Sequence, residues 1–209
     1  FENSGGYGRL EEIGIPVIEC ADYMEESALG RAEWMKFYGL LYGREREADS
    51  LFAVVEKNYQ ALSRRASQSK VTRSVLPDRK VGPVWYLPGG ESSVGLLYKD
   101  AHGMYAYAKD KHSGSLSMPF ETVLDKFGQS DFWILSYRGD FNRAKLLAEF
   151  QGYSMLKPCR TGEIYGCKVD SIPYFEEVSW RPDWLLSDLI QLFHPDLQIA
   201  PMRYYHKLK

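Results

Sequence analysis

The strongest constraint on the fold is the stretch of residues 30–65, in which apolar side chains recur at intervals of three and four. This spacing is typical of helices that bury one face. A break at Gly43 predicts two consecutive helices. The second helix, over residues 46–65, is expected to be about 30 Å long, given a rise of about 1.5 Å per residue. A helix of that length can bridge two globular bodies, so we expect residues 30–66 to join two lobes.

Residues 67–209 alternate short apolar segments with amphipathic ones, which indicates strands separated by helices. The predicted strands cover residues 80–87, 104–108, 131–136 and 163–165. The predicted helices cover residues 94–101, residues 119–127, a segment that Asp140 or Asn142 caps and that ends at Gly152, and residues 182–194. This alternation predicts an α/β fold with a parallel sheet that helices cover on both faces.

Residues 1–29 are interpreted as the remnant of a second α/β lobe. Residues 7–12 predict a short helix that ends at Gly14, and residues 15–18 predict an apolar strand. A lone strand and helix cannot bury both faces of that strand. Because the chain also begins without Met, we expect a fragment or processed form whose remaining sheet lies upstream of residue 1 or comes from another chain.

Composition argues against several classes of protein. Lys and Arg number 26 against 28 Asp and Glu, so the chain lacks the basic excess that supplies most nucleic-acid affinity. No apolar run approaches the roughly 20 residues that a membrane-spanning helix needs. Cys20, Cys159 and Cys167 are too few for a disulfide framework. Cys159 and Cys167 either form one pair or remain buried free thiols.

Two segments at predicted strand ends carry the candidate binding residues. In parallel sheets the ligand crevice lies beyond the C-terminal ends of the strands, and residues 85–93 and 136–140 leave two such ends. The turn at Gly89 and Gly90, followed by Ser92, places backbone N–H groups and hydroxyls at a helix N-terminus, which favours an anionic or oxygen-rich ligand. Alternatively, the glycines only make a tight turn and Ser92 only caps the helix.

An enzyme is the alternative from another class. Residues 90–94 resemble the nucleophile elbow of an α/β hydrolase with Ser92 as the nucleophile, but Val94 occupies a position where that strained turn needs glycine. Four histidines are scattered, in no pattern typical of a catalytic base or a zinc site: His102, His112, His194 and His206. We therefore expect no catalysis, no metal site and no cofactor.

Four segments, taken in order and spacing, carry a family resemblance across nearly the whole chain. They are residues 14–17, 84–92, 120–134 and 180–183. Together they resemble the second half of a periplasmic solute-binding protein of an ABC importer. The resemblance is to the class whose two α/β lobes are joined by one long helix, serving importers of iron-siderophores, haem and cobalamin. It implies three regions, namely 1–29 as a lobe remnant, 30–66 as bridging helices and 67–209 as the C-terminal lobe.

The resemblance also implies a function. A receptor of this class would bind an iron complex, a ferric siderophore or haem, in the crevice between its lobes and hand it to the membrane permease. Cobalamin is the alternative ligand. Such a receptor is periplasmic and touches the membrane only through a lipid anchor, which here would lie outside the chain. Aromatic residues of strand-end loops line the crevice in this class, and the matching positions here are Phe1, Trp85, Tyr86, Tyr137 and Arg138.

Three of the implied roles have competing explanations. Trp85 either contacts the ligand or is ordinary core. Arg138 either pairs with an anionic chelate or forms a structural salt bridge with Asp140. Glu121 matches the second-lobe glutamate with which this class docks on arginines of the permease, yet a carboxylate in the first turn of a helix also complements the helix dipole.

Overall fold

Helices and strands alternate through most of residues 8–209, the part of the chain that the computed structural model describes. The strands are β1 (Val75–Pro77), β2 (Lys80–Val81), β3 (Val84–Pro88), β4 (Ser115–Met118), β5 (Phe132–Tyr137), β6 (Ile164–Lys168) and β7 (His206–Lys207). The helices are α1 (Gly8–Glu12), α2 (Ala28–Leu41), α3 (Glu45–Ala66), α4 (Ser93–Asp100), α5 (Phe120–Phe127), α6 (Arg143–Glu149), α7 (Lys157–Thr161), α8 (Tyr174–Glu177) and α9 (Pro182–Phe193).

The central sheet has the order β1-β5-β6-β7, with β1, β5 and β6 parallel and β7 antiparallel at the edge. Successive side chains of a strand point to opposite faces of a sheet. On β5, the Phe132 ring packs on Phe193 of α9 with centroids 5.2 Å apart, while Trp133 packs on Tyr153 at 5.0 Å on the other face. Both faces are therefore covered, and the predicted α/β fold with a parallel sheet is confirmed.

A second sheet, of three antiparallel strands in the order β2-β3-β4, replaces the single strand predicted over residues 80–87. Gly82 has a φ of +58°, a left-handed conformation that suits glycine and lets the chain reverse between β2 and β3. The strand predicted over residues 104–108 is also wrong. There, only Met104 forms an isolated bridge, with Ser74.

The two predicted helices around Gly43 are confirmed as α2 and α3. Gly43 takes a φ of +63° between them, as glycine does after a helix C-terminus. Helix α3 has 22 residues and is therefore about 33 Å long. Its buried face packs against α2 and α9 through Ala48, Phe52, Val55, Tyr59 and Ala66. The division into residues 1–29, 30–66 and 67–209 remains a proposal.

The strand predicted over residues 15–18 is wrong. The chain leaves α1 at Gly14, whose φ is +72°, but residues 15–18 join no sheet among the described residues. Ile15 and Ile18 are about half exposed, at 47% and 51%. A strand needs a hydrogen-bonded neighbour, and a local apolar pattern does not supply one.

The cysteines are free thiols. Cys159 and Cys167 are both buried, and no disulfide forms within residues 8–209. Burial raises the pKa of Cys159 to about 11 and that of Cys167 to about 12. In the same residues, no cluster of His, Cys, Asp and Glu is arranged to hold a metal ion. None of the described helices is both long and apolar enough to cross a membrane.

Candidate ligand-binding cleft

A cleft of about 530 Å³ opens where β1 and β5 end, beside the outer face of β3. Its position follows the rule for parallel sheets, because residues leaving the C-terminal ends of adjacent strands converge there. Hydroxyl groups dominate its polar lining. The lining residues are Asp78, Arg79, Val81, Tyr86, Pro88, Ser92, Ser93, Val94, Ser113, Gly114, Ser115, Leu135 and Ser136.

Tyr86 is the predicted aromatic residue that reaches this cleft. Its side chain lines the cleft and is 44% exposed. It does so from the antiparallel sheet, where it pairs with Ser117 of β4. Neighbouring residues of a strand face opposite sides, so Tyr86 faces the cleft because Trp85 faces the core.

Trp85 is a core residue, which corrects its prediction as a ligand contact. Its side chain has no exposed surface and packs against Trp133 and Tyr153, with centroids 5.6 and 5.8 Å away. The indole Nε1–H donates to the carbonyl oxygen of Pro77 at 2.8 Å. Trp85 therefore supports the turn after β1 and does not touch a ligand in this arrangement.

Gly89 and Gly90 owe their identity to backbone packing. A Cβ atom on Gly89 would lie 2.2 Å from the carbonyl oxygen of His112, and one on Gly90 would lie 2.4 Å from that of Asp110. The N–H of Gly89 donates to the carbonyl oxygen of Gly114 at 2.8 Å. Neither glycine lines the cleft, so the structure gives both a packing role where the sequence suggested ligand binding.

Ser92 caps α4 and also lines the cleft. Its Oγ accepts the N–H of Gly95 at 3.1 Å and donates to the carbonyl oxygen of Gly89 at 2.7 Å. These are the contacts of an N-cap. No histidine among residues 8–209 forms a hydrogen bond with Ser92, so the geometry gives a hydrolase no activated nucleophile there. Any contact between Ser92 and a ligand stays a proposal.

Tyr137 and Arg138, at the end of β5, lie outside the lining of the cleft in the described part of the chain. Tyr137 is buried, and its hydroxyl lies 2.7 Å from Nε2 of His206. Burial raises the pKa of Tyr137. Asp140, the acid suggested as a partner of Arg138, pairs instead with Lys145 at 2.6 Å. Arg138 is exposed, and its role in binding remains a proposal. Phe1 lies outside the described residues.

Asp78 and Arg79 are cleft residues that sequence reasoning missed. They follow β1, a strand of only three residues that ends in proline and shows no periodicity. Arg79 already has partners within the protein. Its guanidinium pairs with Glu149 at 2.7 Å and stacks over the ring of Phe141 at 4.8 Å. The Asp78 carboxylate has neither a hydrogen bond nor an ion pair within residues 8–209. Burial raises its pKa to about 6.

Glu121 occupies the first turn of α5 and is exposed. The preceding Phe120 fixes the start of the helix by packing on Phe150, with ring centroids 4.8 Å apart. Within residues 8–209, no ion pair involves Glu121. The carboxylate is therefore presented to solvent on a short helix anchored to the lobe.

Known proteins match this chain mainly in structure. No protein-family model matches the sequence. An uncharacterized lipoprotein of Methanocaldococcus jannaschii is 26% identical over 196 residues, covering 90% of this chain and 44% of that protein. A second uncharacterized lipoprotein of the same organism is 23% identical, covering 96% of this chain and 52% of the relative. The chain thus spans about half the length of the curated relatives that it matches.

Two of the solved structures that are similar to this chain are named for heme binding and for Fe3+-hydroxamate transport. A periplasmic heme-binding protein from Roseiflexus sp. RS-1 matches with a TM-score of 0.73 and 20% identity, over 93% of this chain and 73% of that one. The protein of an ABC-type Fe3+-hydroxamate transport system from Saccharomonospora viridis matches with a TM-score of 0.64 and 20% identity, over 88% of this chain and 63% of that one. The chain therefore has the fold of the periplasmic solute-binding proteins, the class that its four sequence segments resemble.

Proposed function

We propose that this chain belongs to the substrate-binding component of an ABC importer and binds an iron complex, either a ferric siderophore or haem. The observation that carries the proposal is the cleft at the ends of β1 and β5, in a chain with the fold of solute-binding proteins. The similar structures include one protein named for heme binding and one named for Fe3+-hydroxamate transport, which supports an iron complex as the ligand class.

The residues of the cleft suit a large organic chelate. Tyr86 offers an exposed aromatic face, on which flat or apolar parts of a ligand can stack. Ser93, Ser115 and Ser136 are exposed hydroxyl-bearing residues in the same lining, and hydroxyls can donate to or accept from the oxygen atoms of a chelate. A ligand bound there can be oriented without any covalent chemistry.

Delivery to a permease completes the proposed function. Glu121 would dock the loaded protein on a cationic site of the permease, because it is exposed and unpaired within residues 8–209. The names of the lipoprotein relatives support a lipid anchor, and the names of the similar structures support a periplasmic location.

The test is a binding screen on the intact protein by quenching of tryptophan fluorescence. Haem, a ferric trihydroxamate, a ferric tricatecholate and cobalamin are titrated side by side. We expect haem or one ferric chelate to bind, and Tyr86→Ala to weaken that binding about tenfold because the stacking surface is lost. Tyr42→Ala is the matched control, since Tyr42 is 79% exposed and does not line the cleft.

The other outcomes of the screen discriminate between the alternatives. If cobalamin alone binds, the proposed ligand changes from an iron complex to a corrinoid. Binding of none of the four would contradict a receptor role. A hydrolase would turn over a generic ester, and Ser92→Ala would abolish that turnover. A receptor shows no such turnover in either form, and Ser92→Ala should cost it little ligand affinity.

A further inference from the structure

An unpartnered carboxylate in the wall of the cleft is the group that the proposed function leaves unexplained. Asp78 lines the cleft directly after β1 and is exposed to solvent there. Within residues 8–209 the carboxylate has no cation and no hydrogen-bond donor. A charged group that lines a cleft and has no partner in the protein is a candidate for a contact with the ligand.

The backbone of Asp78 is held firmly in an uncommon conformation. Its φ is +59°, a left-handed value that costs energy in most residues and that Asp and Asn tolerate best. Its N–H donates to the carbonyl oxygen of Ile134 at 2.8 Å. The carbonyl oxygen of Asp78 accepts a hydrogen bond from the indole N–H of Trp133. The carbonyl oxygen of the preceding residue, Pro77, accepts one from the indole N–H of Trp85. Two fully buried tryptophans thus hold the backbone at Pro77 and Asp78 in place.

The groups around Asp78 offer no compensating positive charge. Four tyrosines lie close enough for its charge to raise their pKa further: Tyr98, Tyr105, Tyr174 and Tyr205. Burial already raises the pKa of each, so all four stay neutral near neutral pH. Arg79 is the neighbouring cation, and Glu149 already pairs with it. Asp78 therefore places a negative charge in the lining of the cleft that no cation of residues 8–209 pairs with, and a cationic ligand group can match it.

We propose, resting on the proposed function, that Asp78 selects ligands that carry a protonated amine, and that the cleft favours cationic or neutral iron chelates over anionic ones. An ammonium group would supply the charge-assisted hydrogen bond that the protein leaves unmade. An anionic chelate would instead place like charges close together in the cleft. Asp78 is thus a specificity-determining residue.

The experiment compares two ferric trihydroxamates that differ at one group, a free terminal ammonium or the same nitrogen acetylated. Both are titrated near neutral pH into the intact protein, as wild type and as Asp78→Asn. Asn keeps the size and the left-handed backbone of Asp but not its charge. We expect wild type to bind the ammonium chelate about tenfold more tightly than the acetylated one, and Asp78→Asn to bind both alike. Asp125→Asn should keep the wild-type preference, since Asp125 is an exposed residue of α5 and does not line the cleft.

A pH series on the wild type gives a second readout that does not depend on a variant. The preference for the ammonium chelate should fall as the pH drops through about 6, where Asp78 takes up its proton, because the ammonium stays charged throughout. Equal affinities in wild type, a preference that Asp78→Asn retains, or a preference that is independent of pH would overturn the inference while leaving the receptor function intact. Binding of haem, whose propionates are anionic, together with failure of both trihydroxamates to bind would overturn it in the same way. Failure of haem, every ferric chelate and cobalamin to bind would remove the receptor function and this inference together.

Discussion

Asp78 combines a proposed role in binding with a cost in stability. Its carboxyl group has a raised pKa and no partner within residues 8–209, and its backbone is left-handed. Neither feature helps the chain to fold, because a carboxylate whose pKa is raised and a strained φ both raise the free energy of the folded state. A group of this kind in a cleft is a candidate for ligand contact.

The free energy of unfolding should depend on pH because of the raised pKa of Asp78. Burial raises the pKa of Asp78 from 3.8 to about 6. Between these values the unfolded chain has lost the proton while the folded chain keeps it, so the free energy of unfolding falls as the pH rises through this window. We therefore expect Asp78→Asn to raise the free energy of unfolding near neutral pH and to give no such gain at about pH 4.

Urea unfolding at the two pH values measures this difference. Asp125→Asn is the control, since Asp125 is exposed on α5. An equal effect of Asp78→Asn at both pH values would show that the gain does not arise from removing the charge.

At the scale of elements, the turn between β3 and α4 is shaped by close backbone contact. The glycines at 89 and 90 bring the turn against the backbone of residues 107–114, and Ser92 then caps α4. The same segment brings both Tyr86 and Ser92 into the lining of the cleft. The turn therefore connects two lining residues without contributing its glycines to the lining.

Gly89→Ala should destabilise the protein by about 2 kcal/mol or more, because the new Cβ would overlap backbone atoms that cannot rotate away. Gly114→Ala is the matched control. Its Cβ would meet nothing within 4 Å, so its effect should stay within about 1 kcal/mol. Thermal or urea unfolding of both variants tests the comparison, and equal stabilities would refute the packing explanation of Gly89.

At the scale of the whole molecule, exposed large apolar side chains are concentrated between residues 10 and 54 of the described part of the chain. They include Leu10, Ile13, Ile15, Ile18, Tyr23, Met24, Leu40, Leu41, Tyr42, Leu51 and Val54. The remainder of the chain forms one continuous core around the central sheet. This asymmetry supports the proposed division into a lobe remnant, bridging helices and a C-terminal lobe.

Docking on a permease belongs to this scale as well. Glu121→Arg should leave the affinity for the ligand unchanged and weaken the stimulation of the transporter ATPase, because reversing the charge repels a cationic site on the permease. The measurement is ATPase activity of the reconstituted importer with loaded binding protein. Asp125→Arg, on the next turn of α5, is the matched control. Full stimulation by Glu121→Arg would exclude the docking role.

The sequence by itself predicted much of the architecture. The helix pair around Gly43, the buried strand β5, the start of α9 at Pro182 and the α/β class all follow from periodicity and from Gly and Pro signals. These elements are long enough, or capped distinctly enough, for local rules to suffice. The resemblance to solute-binding proteins likewise rested on the order of such segments.

Only the tertiary structure decided which residues meet at the cleft. Trp85 and Tyr86 are neighbours in the sequence, yet one is buried and the other is exposed, because pairing in the antiparallel sheet fixes the face of each. Asp78 follows a strand of three residues. The role proposed for it depends on the absence of a cationic partner for its carboxylate among residues 8–209. Local patterns report how a segment folds, whereas solvation and charge pairing depend on contacts between residues distant in sequence.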